Sequence, residues 1–424
     1  MRTSTWFHSP HDLSDGSEAT STLLRRGRLL DMDGPPESGK TERSARWAAT
    51  MAGYAGPVRL AHADSRARVG PAPGSVPPTP AQPEVPRARS ERQELEDSLL
   101  APGATRSSDA GDRAEPEQPD PWRTCFERDR DRILHATSFR RLAGKTQVFV
   151  FPQDHQRTRL THALEVAQVA TAIARACRLN VALTEAIALG HDCGHGPGGH
   201  ASEDALDPYV PGGFDHAPWG ASVSLAPLNL CAETADGIAN HSWSRPAPST
   251  PEGEVVSWAD RIAYVCHDWE DAVLSGIVAP RQLPLAVRAL CGERRSAQLG
   301  AFINGVVSAS LRTGQVGMEE EEAEALAAFR TCNYERIYLR DASLRQGDAV
   351  ISVLRALVEH FSDRPHLITD HAPGSQDSDV VAGSEGAVRA AVTYVAGMTD
   401  RFAFRQAVAL LGWDPAKLPA GVDA

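Results

Sequence analysis

The stretch NVALTEAIALGHDCGHGPGGHASE, Asn180 to Glu203, decides how this chain is read. Its first half runs from the N-cap candidate Thr184 as an apolar helix to Gly190, and the pair His191-Asp192 stands where that helix stops. Adjacent residues on a regular helix project about 100° apart, so both can reach one ion only where the helix ends or distorts. Gly190 and Gly194 on either side supply that freedom. Beyond the pair, Gly196, Gly198 and Gly199 alternate with His195 and His200, a composition suited to close approach of backbone to a ligand.

On the N-terminal side, Leu164, Val166, Val169, Ala170, Ile173, Ala174 and Cys177 give a helix a broad apolar face, with His162 in its first turn. On the C-terminal side, Glu254 to Leu274 reads as a helix with Ile262, Val265, Trp269 and Val273 on one side, and it carries Asp260. His162, His191, Asp192 and Asp260 therefore come from separate segments. Two imidazoles and two carboxylates suit one divalent ion such as Mn2+, Mg2+, Co2+ or Fe2+ better than a structural zinc site of thiolates. Metal-assisted hydrolysis is the chemistry this set implies.

The remaining histidines divide. His200 and Glu203 lie three apart, so a helix resuming at Gly199 puts them on one face, where the carboxylate orients the imidazole and raises its pKa. Such an acid beside a metal can protonate a leaving oxygen; a glycine-rich surface loop with incidental histidines is the plain alternative. His216, in GGFDHAPWG, reads as a phosphate contact or a turn residue. His241 and His267 read equally well as ligands or as surface or core histidines satisfied by a backbone group. Arg157 and Arg159 place guanidinium groups just before His162, where a cation opposes the helix dipole but suits a phosphate.

The rest of the chain sets bounds. Of its 424 residues 42% are apolar, and residues 1–118 are rich in Pro, Gly, Ser and Arg without a sustained period, so they are expected to be disordered. Residues 1–90 fit an upstream start codon in a GC-rich gene. Residues 119–280 form the expected functional core and 281–424 a helical C-terminal region, with a polar loop at 372–383 and a solvated helix start at Glu319 to Glu322. Helices are also expected from Cys125 to the terminator Gly144, with Phe126, Ile133, Leu134 and Phe139 inward, and from Leu228 to Ser242. Strand signals are sparse, and the fold class is all-α.

A net charge of -12 without a basic, aromatic-interleaved stripe excludes a dedicated nucleic-acid binder. Seven cysteines form no C-x-x-C pair, no apolar run reaches eighteen residues and no secretory leader is evident, so a cytoplasmic protein off the membrane is expected. GPPESGKT, residues 34–41, matches a phosphate loop, but no apolar strand precedes it and Pro35 and Pro36 remove two N–H donors.

The order H…HD…D resembles the HD-domain phosphohydrolases. More narrowly, FRRLAGKTQVF, DHQRTRLTHALEVAQVA, NVALTEAIALGHDCGHGP, FDHAPWG and WADRIAYVCHDWEDAV look like the bacterial deoxyguanosine triphosphate triphosphohydrolases, with a weaker echo in FRTCNYERIYLR. That resemblance implies an all-helical HD fold with a helical C-terminal extension. It implies one divalent ion on His162, His191, Asp192 and Asp260, and His200 with Glu203 as the catalytic pair. It places His195, His216, Arg159 and Arg261 against a triphosphate, and Gln147, Tyr264 and Asp268 near a deoxyribose. The implied reaction splits a deoxynucleoside triphosphate into deoxynucleoside and tripolyphosphate. The implied assembly is a homo-oligomer, often a hexamer in bacteria, sometimes activated by a nucleotide. Gly198 departs from the family, which commonly has an aromatic there, and its absence removes a packing wall beside His200. A phosphodiesterase or nucleotidase acting on another phosphate ester, or a weakly catalytic nucleotide-binding regulator, would share the ligand pattern.

Overall fold

The computed structural model describes residues 61–64, 67–69, 88–152, 156–368 and 381–419. Two compact units are present, Met1–Val85 and Pro86–Ala424. In the first, the described residues are a short antiparallel pair, β1 (Ala61–Asp64) and β2 (Ala67–Val69). The GPPESGKT match lies outside the described residues.

The second unit is helical. Its first elements are α1 (Arg89–Leu99), α2 (Cys125–His135), α3 (Thr137–Arg141), α4 (Arg159–Cys177) and α5 (Val181–Gly190). Then come the short α6 (Ala201–Leu206) and α7 (His216–Trp219), α8 (Ala232–Asn240) and the long α9 (Pro251–Leu274). The chain closes with α10 (Leu285–Cys291), α11 (Arg295–Thr313), α12 (Glu320–Asn333), α13 (Asp341–Asp363), α14 (Glu385–Ala396) and α15 (Asp400–Leu411). No described helix is long and apolar enough to cross a membrane.

Local chemistry fixes the key helix ends. Thr158 and Thr161 form a reciprocal cap at the start of α4, and Asn180 caps α5 through the Leu183 N–H. The helix before His191 thus begins at Val181, earlier than a Thr184 cap would give; the Thr184 hydroxyl instead donates back to Asn180 O. Two apolar cores result. One joins α2, α4, α5, α8, α9, α11 and α12 through Ile133, Ile187, Ile262, Phe302 and Phe329. The other joins α6, α13, α14 and α15 through Leu206, Leu354, Val392 and Phe404. The glycine-rich tract after His191 passes from the first to the second. Leu134 and Leu164, expected inward, are 40% and 48% exposed.

Residues 88–118, expected to be disordered, are ordered. Helix α1 and the passage after it are held by polar side chains rather than by an apolar period. The buried Glu252 carboxylate accepts from Thr105 N and Oγ1 at 3.1 and 2.7 Å and from Asn180 N at 2.8 Å. Asn180 Nδ2 in turn donates to Thr105 O. Composition carries no trace of such partners, which lie up to 147 residues away.

A candidate metal and phosphate-ester site

His162 projects from the first turn of α4, His191 and Asp192 follow the end of α5, and Asp260 lies midway along α9. His162 Nε2 stands 2.9 Å from Asp260 Oδ1 and 3.9 Å from Asp192 Oδ2. His191 Nε2 stands 3.5 Å from Asp192 Oδ2 and 3.7 Å from Asp260 Oδ1. Donor atoms at such spacings can surround one ion, since metal–ligand bonds near 2.1 Å set ligands about 3–4 Å apart. The donor set fits for a second reason. His191 Nδ1 donates to Ala188 O at 2.7 Å, which fixes the tautomer and leaves Nε2 as a lone pair, and that buried atom has no hydrogen-bond partner. Burial would raise both aspartates, but Arg159 and the histidines outweigh it at Asp192, and His162 and His191 do so at Asp260; both are held below the usual carboxylate range.

Gly190 and Gly194 were expected to act through backbone freedom, but neither has positive φ. They permit close packing: a Cβ on Gly190 would stand 2.5 Å from Ile238 Cδ1, and one on Gly194 1.9 Å from His216 O. The left-handed residues are Gly198 and Gly199, at φ 76° and 65°. Nor does Gly198 open a gap. A Cβ there would stand 2.4 Å from Val350 Cγ1, so α13 supplies the wall that an aromatic would otherwise form.

Those glycines deliver His200 to the residue before α6, and Glu203 lies in the first turn. His200 Nδ1 meets Glu203 Oε2 at 2.8 Å, and the other Glu203 oxygen meets His216 Nδ1 at 2.7 Å. The carboxylate thus orients two imidazoles, not one. Burial works against its charge, but the two hydrogen bonds prevail and hold Glu203 far below the usual range. His195 stacks on His216 with centroids 3.7 Å apart, and its Nε2 is 3.2 Å from Asp192 Oδ1.

A cavity of about 580 Å³ joins these groups. Its lining includes Gln147, Arg159, His162, Asp192, His195, His200, His216, Asp260, Arg261, Tyr264 and Asp268. Arg159 is 1% exposed, with Nη1 2.7 Å from Asp192 Oδ2 and its Nε and Nη2 unpaired. The Arg261 guanidinium lies 3.4 Å over the Trp243 ring. Arg157, expected beside the phosphates, is instead consumed by Glu165, Asp268 and Asp271, because α4 and α9 pack directly together there. Asp268 also accepts from the Tyr338 hydroxyl, and Tyr264 accepts from Arg330. His267 donates to Ala263 O and lies off the cavity.

Sequence reading missed three contributors. His241, for which a ligand and a backbone-satisfied histidine were equal readings, is backbone-satisfied and still reaches the site: its Nδ1 meets Ile238 O at 2.8 Å, and its Nε2 stands 3.2 Å from His216 Nε2. A histidine directly after a helix, as at His191, was the available signal. Lys145 is buried and bonds His195 O and Ala396 O; burial pushes its ammonium down to about 8. Asp400 accepts from Gly198 N and Thr146 N, both at 2.9 Å, and ties the glycine tract to α15. No local pattern announces either.

Residues 159–265 match the HD domain family, and residues 316–408 the phosphohydrolase-associated domain. A deoxyguanosinetriphosphate triphosphohydrolase-like protein of Caldanaerobacter subterraneus is 41% identical over 324 residues, 75% of this chain and 94% of its own length. One from Desulfatibacillum aliphaticivorans is 38% identical over 339 residues, covering 75% and 95%. One from Deinococcus radiodurans is 35% identical over 377 residues, covering 76% and 99%.

Proposed function

Because the chain belongs to the deoxyguanosinetriphosphate triphosphohydrolase-like family and is a metal-dependent hydrolase of the HD superfamily, we propose that it converts deoxynucleoside triphosphates to deoxynucleoside and tripolyphosphate. The supporting observation is that one nucleotide-sized cavity is lined by His162, Asp192 and Asp260 of the donor set and by His200, which Glu203 holds from behind. His162, His191, Asp192 and Asp260 would hold one divalent ion, Mn2+, Mg2+, Co2+ or Fe2+. Once bound, that ion supplies Lewis-acid polarisation of a phosphoryl oxygen and acidifies water.

The protein's own groups do the rest. Arg159 offers a buried guanidinium whose unpaired N–H groups suit a phosphate oxygen, and Arg261 adds a second cation on the cavity wall. His195 and His216 line the same face as further phosphate contacts. Glu203 holds His200 by Nδ1, which leaves Nε2 to give a proton to the departing 5′-oxygen as water adds to the α-phosphorus. Gln147, Tyr264 and Asp268 would border the deoxyribose. The chain would work as a homo-oligomer open to nucleotide activation, which light scattering with and without dNTPs reads.

The test is incubation of the four dNTPs and common cyclic nucleotides with Mn2+, Mg2+ or Co2+, with products separated by chromatography. Tripolyphosphate with free deoxynucleoside is expected from at least one dNTP. Orthophosphate or pyrophosphate, or cleavage of cyclic nucleotides alone, would replace this reading with a phosphodiesterase or nucleotidase. Nucleotide-dependent assembly without turnover would replace it with a regulator.

A further inference from the structure

Two of the seven cysteines meet at a place that the proposed hydrolase site does not use. Cys125 opens α2 directly after the Thr124 cap, and Cys231 immediately precedes α8, so both sulfurs stand at helix N-termini. Neither residue lines the cavity. The passage from Ser107 to Arg113 lies across them. A Cβ on Gly111 would stand 2.8 Å from Cys125 Sγ and 3.7 Å from Cys231 Sγ, so both sulfurs crowd one point of that backbone, and the two thiols hydrogen-bond each other. Polar bonds hold the frame around them. Arg113 bridges to Cys231 along the backbone, donates to Cys125 O at 3.1 Å and forms a buried ion pair with Asp129 at 2.7 Å. The other Asp129 oxygen accepts from Cys231 N at 2.8 Å.

We infer that Cys125 and Cys231 form a reversible redox clasp, in which a hydroperoxide oxidises Cys125 and Cys231 then closes a disulfide joining the start of α2 to the start of α8. The inference goes beyond the hydrolase reading and does not rest on it. Three observations give the two cysteines different parts. Cys125 is partly exposed whereas Cys231 is fully buried, so an oxidant meets Cys125 first. The Cys231 thiol donates to Cys125, and that bond prevails over burial to hold the Cys125 thiol below its ordinary value while pushing Cys231 up. The N-terminus of α2 and the Arg113 guanidinium favour the same thiolate. The other five differ. Burial pushes up the thiols of Cys177, Cys193, Cys266, Cys291 and Cys332, which suits inert core residues.

The step balances with the hydroperoxide as the only added reactant. Cys125 sulfur attacks the terminal peroxide oxygen, the O–O bond breaks, and the leaving oxygen departs with the Cys125 proton as water or an alcohol. Cys125 is then a sulfenic acid. Cys231 sulfur attacks that sulfur, the S–O bond breaks, and the hydroxyl leaves with the Cys231 proton as water. Two electrons have passed from the thiols to the peroxide. The rival occupant of a thiol pair is a metal ion, but Asp129 is committed to Arg113 and Cys231 N, which leaves no third donor. Among the described residues, the groups that could hold a metal include neither cysteine.

The test counts thiols in the full-length protein, unfolded after exposure to a slight excess of hydrogen peroxide, and maps the peptides by mass. Two of the seven thiols should be lost, the pair should appear as a Cys125–Cys231 peptide, and a dithiol reductant should restore all seven. Cys231→Ser should instead leave a Cys125 sulfenic acid that dimedone captures, and Cys125→Ser should lose no thiols. Because the bond closes a loop of about a hundred residues, the oxidised wild type should melt about 5–10 °C above the reduced form. A wild type that keeps all seven thiols, a disulfide to another cysteine, or equal thiol loss in Cys125→Ser would each overturn the clasp. So would a Cys125–Cys231 bond that leaves the melting temperature unchanged.

Discussion

The two ends of the cavity are built by opposite means. At the proposed metal end, His162, His191 and Asp192 are 0–3% exposed and are fixed by α4 and α5 within one apolar core, with Asp260 presented by α9. At the other end, the His200 side chain is 73% exposed on a left-handed glycine turn, and that turn is held from behind by Asp400, 202 residues away from Gly198. An ion site needs donors that do not move apart, and packed helices provide that. His200, as the proposed proton donor, would have to reach a bound substrate, which suits its place at the mouth, and its turn is held by a buried carboxylate elsewhere in the chain.

Substitutions can break this contrast, and the largest effect is expected at the metal end. Asp260→Ala removes the carboxylate oxygen nearest His162, which also stands 3.7 Å from His191 Nε2, so the purified variant should lose its metal and fall to background turnover. Stoichiometric metal in that variant, measured by elemental analysis, would count against the donor set. His200→Ala should lower kcat by about 10²–10⁴-fold, with metal content unchanged. Equal turnover in variant and wild type would discard the pair.

Asp400→Ala tests the clamp between the two. It leaves the Gly198 and Thr146 N–H groups without their acceptor, at a cost on the order of 3 kcal/mol. A fall in kcat with metal retained is expected, and an unaltered kcat would show that the glycine tract supports itself. Gly198→Phe should lower stability by about 2–3 kcal/mol in denaturant titration, through positive φ and the clash with Val350. A neutral result would mean that α13 can withdraw.

The smallest effect is a pH dependence. Glu203 is depressed, so its contribution to stability is present above its ordinary 4.5 and is lost as pH falls. His216 is raised above its ordinary 6.5: burial opposes this, but Glu203 prevails, and the contribution is lost as pH rises through the folded value. In metal-free protein, the melting difference between wild type and Glu203→Gln should therefore be greatest between about pH 4.5 and 6.5. A difference that stays flat from pH 4 to 8 would show that the pair carries no net coupling.

The same contrast explains what the sequence disclosed. His162, His191, Asp192 and Asp260 could be picked out as candidate ligands, and the fold brings them together, because each stands at a helix start, a helix end or a helical face whose period is visible locally. The all-helical class was legible for the same reason. Asp400, Lys145 and Val350 were not, because their partners lie across the fold and their own surroundings look like ordinary helix ends or faces. Arg157 misled because its position before His162 suits phosphate, while the carboxylates that claim it lie on α9. The order after residue 88 was hidden because Glu252 and Asn180 hold it by polar bonds that leave no apolar period.

The most direct measurement follows the oxygen. Hydrolysis of dGTP by the Mn2+-loaded protein in water labelled with heavy oxygen should give tripolyphosphate carrying the label and an unlabelled deoxynucleoside. Label in the deoxynucleoside, or its appearance in orthophosphate or pyrophosphate instead, would contradict attack at the α-phosphorus within this site.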